Sequence, residues 1–180
     1  MEKVSRSVVG RLILLACLVL MAGVPSRAQE TVFRTYKDNS GFSCSFPSGW
    51  DFEQAQNSDR IFSGQTGSAR EATIIIQVID RASTSDKTAE AQLDGLKRQL
   101  VGFRDGRILQ EGAAPVAGQQ APFVIASYSA EDSSGKLRKF NHIQMVVTAP
   151  RLFLLMTYSA PDGMFGEHLK VFDNCSATLA

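Results

Sequence analysis

The chain has 180 residues, 44% hydrophobic and 21% charged, with 19 Lys and Arg against 18 Asp and Glu. Setting aside residues 1–28, which hold four of the bases and one of the acids, leaves 15 against 17, a net charge of −2. That balance excludes a general nucleic-acid surface, and the length suits one domain with a core of ordinary size.

The first segment reads as an export signal. Lys3, Arg6 and Arg11 form a basic start, Leu12 to Val24 is an apolar run, and Ser26-Arg27-Ala28 presents small residues at the two positions a signal peptidase reads. The run is shorter than the ~20 residues of a spanning helix. Cleavage after Ala28 is expected, leaving a single mature domain over residues 29–180 that is periplasmic or secreted. Leu14-Leu15-Ala16-Cys17 loosely matches the box before a lipidated cysteine, although Leu15 fits poorly and the apolar run continues past Cys17. Membrane contact is expected only if Cys17 carries lipid.

After the leader, Thr31 to Lys37 reads as a strand and Asp38-Asn39-Ser40-Gly41 as a turn, built from residues that accept left-handed backbone. Phe42 to Phe46 alternates large and small, the period-two signature of a half-buried strand. Pro47-Ser48-Gly49 closes it, and Trp50 and Phe52 are expected as core anchors. Arg60 to Ser63 is a short strand ending in the Gly64 to Gly67 loop. Glu71 to Asp80 carries Ile74, Ile75, Ile76, Val78 and Ile79, apolar on both faces, which predicts a central strand covered on both sides.

Ser83 to Asp86 supplies N-cap chemistry to an amphipathic helix whose Ala89, Leu93, Leu96 and Leu100 recur along one side. Period two returns in Ile108 to Val116, Phe123 to Glu131, Leu137 to Thr148 and Leu152 to Ser159. Their connections, Gly118-Gln119, Asp132 to Gly135 and Ala149-Pro150-Arg151, are short enough to predict antiparallel neighbours. Pro161-Asp162-Gly163 opens a closing helix with Phe165, Leu169 and Phe172 at i, i+4 and i+7. Strands, one long helix, a meander and a closing helix predict an α+β fold, an antiparallel β-sheet flanked by helices. Phe42, Phe46, Trp50, Ile74, Ile76, Leu93, Leu96, Leu100, Leu154, Phe165, Leu169 and Phe172 are expected to be buried together.

Tyr36-Lys37-Asp38, followed by Gly41-Phe42-Ser43-Cys44-Ser45-Phe46-Pro47-Ser48-Gly49-Trp50, resembles the opening of PsbP-like domains and their DcrB-type bacterial relatives. The likeness runs in letters over residues 36–50 and in layout over nearly the whole mature chain. It implies a PsbP-like α/β/α sandwich serving as a non-catalytic accessory or binding module. Members include photosystem subunits, periplasmic lipoproteins, effector chaperones and a Ran-binding nuclear factor. The family has no shared catalytic motif, so the resemblance carries over no catalytic residue, and nothing here selects photosynthesis.

The chemistry-bearing residues are few. Cys44 and Cys175 are the cysteines of the mature chain, a candidate disulfide in an exported protein or else two small buried hydrophobes, and spacing does not choose between these. His142 and His168 lack Cys or carboxylate at ligand spacing, so no metal site is expected. A hydrolase using either histidine would need a cleft joining it to a carboxylate, and no Gly-x-Ser-x-Gly elbow occurs. Glu131-Asp132 and Glu71 with Asp80 read as solvated charge, and Gly64 to Gly67 is too short for a phosphate loop. Lys136, Arg138 and Lys139 form either a solvated hairpin tip or a site for an anionic head group.

The expectation is an exported, non-catalytic binding or assembly-accessory protein without a cofactor. Its partner would be an unknown protein or a small apolar ligand, and not a nucleic acid. The rivals are an envelope chaperone or lipoprotein that binds apolar segments or lipid, and a hydrolase built on His142 or His168.

Overall fold

The computed structural model describes residues 32–55, 59–65, 67–132 and 134–180, so the export signal, Cys17 and the cleavage point after Ala28 lie outside the described residues. In chain order the elements are β1 (Phe33–Lys37), β2 (Ser43–Pro47), β3 (Trp50–Gln54), β4 (Arg60–Gly64), β5 (Thr73–Asp80), α1 (Ala89–Gly102), β6 (Arg107–Val116), β7 (Gln119–Glu131), β8 (Leu137–Thr148), β9 (Leu152–Pro161) and α2 (Phe165–Ala177). Seven strands form one antiparallel sheet in the order β3-β4-β5-β9-β8-β7-β6, and β1 and β2 form a separate two-stranded ladder. The α+β class and the flanking helices are as the periodicity predicts.

Alternation along the strands sends side chains to two different cores, because successive residues point to opposite faces. Val124, Ala126, Val146, Phe153 and Leu155 meet Ala89, Leu93 and Leu100 of α1. Ile74, Ile76, Ile143, Met145, Leu154, Met156 and Tyr158 face the other way, onto Phe42 just before β2, Cys44 and Phe46 of β2, and Phe172 and Cys175 of α2. The expected core therefore divides. Leu93, Leu96 and Leu100 lie across the sheet from the other residues, and Leu96, Phe165 and Leu169 are half-buried.

Three further expectations are corrected. Ile74 and Ile76 are fully buried, but Ile75 and Ile79 on the opposite face of β5 are only half-buried, since α1 packs over β6, β7 and β8. Trp50 to Gln54, read as two anchors, is an edge strand: Trp50 is buried while Phe52 stays 41% exposed, its ring beside those of Tyr36 and Phe62. The cap of α1 is Thr88, whose Oγ1 accepts the Ala91 N–H at 3.1 Å, and not a residue of Ser83 to Asp86.

The open edge of β2 is used by the C-terminal segment. Ser43 N–H donates to Ala180 O at 2.9 Å and Ala180 N–H to Ser43 O at 3.0 Å. Asn174 Nδ2 donates to Ser45 O at 3.0 Å, and Ser45 N–H to Thr178 Oγ1 at 2.9 Å. These bonds pair backbone groups that would otherwise face an empty edge.

Candidate functional site

Turns from distant parts of the sequence gather at one end of the sheet: Ser40-Gly41, the loop from Arg81 to Lys87, Ala117-Gly118, and Ala149-Pro150-Arg151. Two hollows open there, of about 790 Å³ and about 490 Å³. They share Ser40, Pro150, Arg151 and Leu152, so they meet at the β8–β9 turn. The larger hollow presents Arg81, Lys87 and Arg151; the smaller has an apolar floor of Phe42, Val147, Leu154 and Leu179.

Arg81 and Lys87 are positioned by backbone carbonyls. Arg81 Nη1 donates to Ala149 O and Pro150 O, both at 3.2 Å, and its guanidinium carbon sits 5.2 Å from the centroid of the Phe153 ring. Lys87 Nζ donates to Arg81 O at 3.0 Å and Ala82 O at 3.4 Å. Among the described residues, none of Arg81, Lys87 and Arg151 forms an ion pair with a carboxylate. The acidic side chain lining the larger hollow, Asp80, accepts the Ala82 N–H at 2.9 Å. On the apolar side, Gln119 Nε2 donates to Thr148 O at 2.6 Å and Thr148 N–H to Gln119 Oε1 at 3.2 Å, so these polar groups satisfy one another.

A third hollow of about 330 Å³ lies between β1 and the β3–β4 edge, lined by Tyr36, Phe46, Trp50, Phe52 and Phe62. Arg34 closes it by donating from Nη2 to Trp50 O at 2.6 Å.

No family model and no curated protein matches the sequence. Solved structures do match. Cyanobacterial PsbP (CyanoP) from Synechocystis sp. PCC 6803 aligns with a TM-score of 0.57 at 14% identity, over 83% of this chain and 92% of that one. The Ran-binding protein Mog1p of Saccharomyces cerevisiae aligns at 0.58 and 11%, over 83% and 95%. LpqN, involved in cell envelope biogenesis of Mycobacterium tuberculosis, aligns at 0.58 and 15%, over 84% and 91%. The fold is PsbP-like. At such identities the likeness extends to the fold alone.

Within this PsbP-like frame, the opening motif has a structural task. Tyr36 Oη donates to Asp38 Oδ2 at 2.8 Å, and Asp38 also takes Arg60 and the Ser40 N–H, which ties the β1–β2 turn to β4. Burial, and then the carboxylate beside it, push the Tyr36 hydroxyl up to about 12.

The other residues singled out from the sequence are not assembled into one place. His142 is buried on the α1 side of the sheet, with neither ring nitrogen partnered among the described residues, and burial lowers it to about 4. His168 lies on α2, 3.8 Å from Glu167 and edge-on to Trp50. Neither lines the hollows described here, and the described residues contain no cluster of three His, Cys, Asp or Glu able to hold a metal. Two of the three bases of the tip are paired: Arg138 contacts Glu71 and, at 3.8 Å, Asp132, while Lys139 lies 3.5 Å from Asp162. Glu71 and Asp132 are thus ion-pair partners, not free acids.

Cys44 and Cys175 are both fully buried free thiols in the same core. A hydrogen bond between them, reinforced by burial, pushes the Cys175 thiol well up. The sequence reading missed Arg81, Lys87 and Arg151 altogether. Arg81 and Lys87 stand in one polar loop and Arg151 in the β8–β9 turn, and nothing in their spacing marks a joint role.

Proposed function

We propose that this chain is an exported, non-catalytic binding or assembly-accessory protein, which takes its ligand or partner in the cleft where the Arg81–Lys87 loop meets the β8–β9 turn. The cleft carries this reading: it joins an apolar floor to a cationic lip, the combination of apolar surface and a few placed polar groups that marks recognition sites. The histidines support a non-catalytic role, since no imidazole shares a hollow with a carboxylate there. The fold supports it too, being that of a Ran-binding protein and of a protein of cell envelope biogenesis. Residues 1–28 are removed on export, the mature chain begins at Gln29, and in an oxidising compartment Cys44 and Cys175 become a disulfide.

The test uses protein expressed from the whole sequence and recovered after export. Its first residue should be Gln29. A photo-crosslinking amino acid replacing Leu152 should capture one dominant species in cells, and the same amino acid replacing Asp51 on the distant edge strand should not. A full-length chain held in membrane would overturn the export reading, and equal labelling from both positions would overturn the cleft.

Phe52, 41% exposed at the mouth of the aromatic hollow, favours a second reading in which that hollow receives an apolar side chain of a client segment. Capture from Phe52 in place of Leu152 would select it.

A further inference from the structure

We propose that the ligand of the cleft is a single-chain anionic amphiphile, a fatty carboxylate, with its head group among Arg81, Lys87 and Arg151 and its chain on the apolar floor behind Pro150 and Leu152. This inference rests on the binding-module reading and gives its ligand a chemical class.

Charge complementarity is the first argument. Arg81 and Lys87 spend donors on the carbonyls of residues 149, 150, 81 and 82, which fixes their positions without neutralising them. Arg151 stands exposed at the wall common to both hollows. In a chain whose mature net charge is −2, these three bases outnumber the carboxylate that lines the larger hollow, Asp80, and pair with no acid among the described residues, which makes a local positive site on a negative molecule. Such a site attracts an anion and discriminates against its neutral analogue.

Behind the charges lies an apolar hollow. Phe42, Val147, Leu154 and Leu179 belong to the sheet core, and they line a hollow of about 490 Å³ that shares the Pro150–Leu152 wall with the cationic one. That size lies within the roughly 300–1,000 Å³ of small-molecule sites. A methylene chain suits this floor better than a peptide does. Peptide amides laid on it would lose water without gaining partners, because Gln119 and Thr148 already satisfy each other. A nucleotide fits no better, since the phosphates would find no glycine-rich loop among the lining residues of the larger hollow.

The experiment is a fluorescence titration of the exported protein with cis-parinaric acid, a long-chain polyene carboxylate that brightens in apolar surroundings, set beside its methyl ester. The acid should bind saturably, one per chain, and more weakly as salt rises. Lys87→Glu with Arg151→Glu should weaken it at least about tenfold, as should esterification of the probe. Leu152→Glu should do the same with all three bases in place, and thermal melts of the variants confirm that they fold. Equal affinity for acid and ester, or unchanged affinity in the charge variants, overturns the proposal. Displacement of the probe by an apolar peptide at equal or lower concentration overturns it in favour of a peptide ligand. Absence of uptake while Leu152 still yields its crosslinked species overturns the amphiphile and leaves the binding reading standing; loss of both removes the two together.

Discussion

Arg60 grips Asp38 with two prongs: Nε lies 2.7 Å from Oδ2, and Nη2 lies 2.8 Å from Oδ1. The two side chains are only 9% and 4% exposed, so this is an ion pair taken almost wholly out of water. Burial alone would raise the Asp38 carboxyl. The Arg60 guanidinium, the Ser40 N–H and the Tyr36 hydroxyl outweigh it and hold that carboxyl well below the usual carboxylate range.

Breaking such a pair from one side strands a buried charge, so Asp38→Asn and Arg60→Met should each cost about 3–5 kcal/mol, and the double variant less than their sum. The pH dependence follows from the lowered folded-state value. The stabilisation is complete above the unfolded carboxyl's pKa of about 4 and is lost as pH falls through the folded value. Urea melts of wild type and Asp38→Asn at neutral pH and at about pH 3 measure both effects, and the gap between the two proteins should narrow in acid.

His142 should give a second, earlier acid transition. Burial lowers its folded value to about 4 from the ordinary 6.5. Between those values the unfolded chain takes up a proton that the folded chain refuses, so stability is full above pH 6.5 and falls by about 3 kcal/mol on the way down to 4. His142→Gln should flatten the stability curve in that window and leave the Asp38 transition below it untouched. An unchanged slope would mean that the ring is solvated.

For the cysteines the expected result is a closed pair. Denatured exported protein, assayed without reductant, should show no titratable thiol, the two having given up two electrons and two protons to a disulfide-bearing oxidant of the export compartment. Reductant should then lower stability by up to about 5 kcal/mol in the chain-entropy account, because the loop from Cys44 to Cys175 is long. Two free thiols would leave both as packing residues.

The β6–β7 turn is the simplest place to gain stability. Ala117 and Gly118 occupy its two central positions at φ 49° and 75°. Glycine accepts that backbone freely and alanine does not, whereas Asn-Gly is the pairing this tight hairpin favours. Ala117→Asn should raise stability by about 1 kcal/mol, read as a higher melting temperature.

Much of the sheet was legible because burial imposes period two. Phe42, Cys44 and Phe46 announce β2, and Leu137 to Thr148 coincides with β8. β3 was not legible: four of its five residues are exposed, so there was no buried face to set a rhythm. The division of the core escaped for a related reason. Periodicity says which residues share a face, but only the crossing of α1 says that Leu93 and Phe172 never meet. The cleft was hidden more deeply still. Ser40, Arg81 and Arg151 come from separate turns, and a lone arginine in a turn looks like solvated charge until the fold brings the turns together.

The pairing of β5 with β9 fixes an order of events during synthesis. β5 ends at Asp80 and its partner begins only at Leu152, so a chain made from its N-terminus carries Ile74, Ile75 and Ile76 with one edge unpaired while the 71 residues between the two strands are made. The hairpins from β6 to β9 join neighbours in sequence and form quickly, while the long closure back to β5 must wait. Until that seam shuts, a β-branched segment with a free edge is open to pairing with other copies of itself. The isoleucine run therefore keeps its free edge until the last strand has emerged.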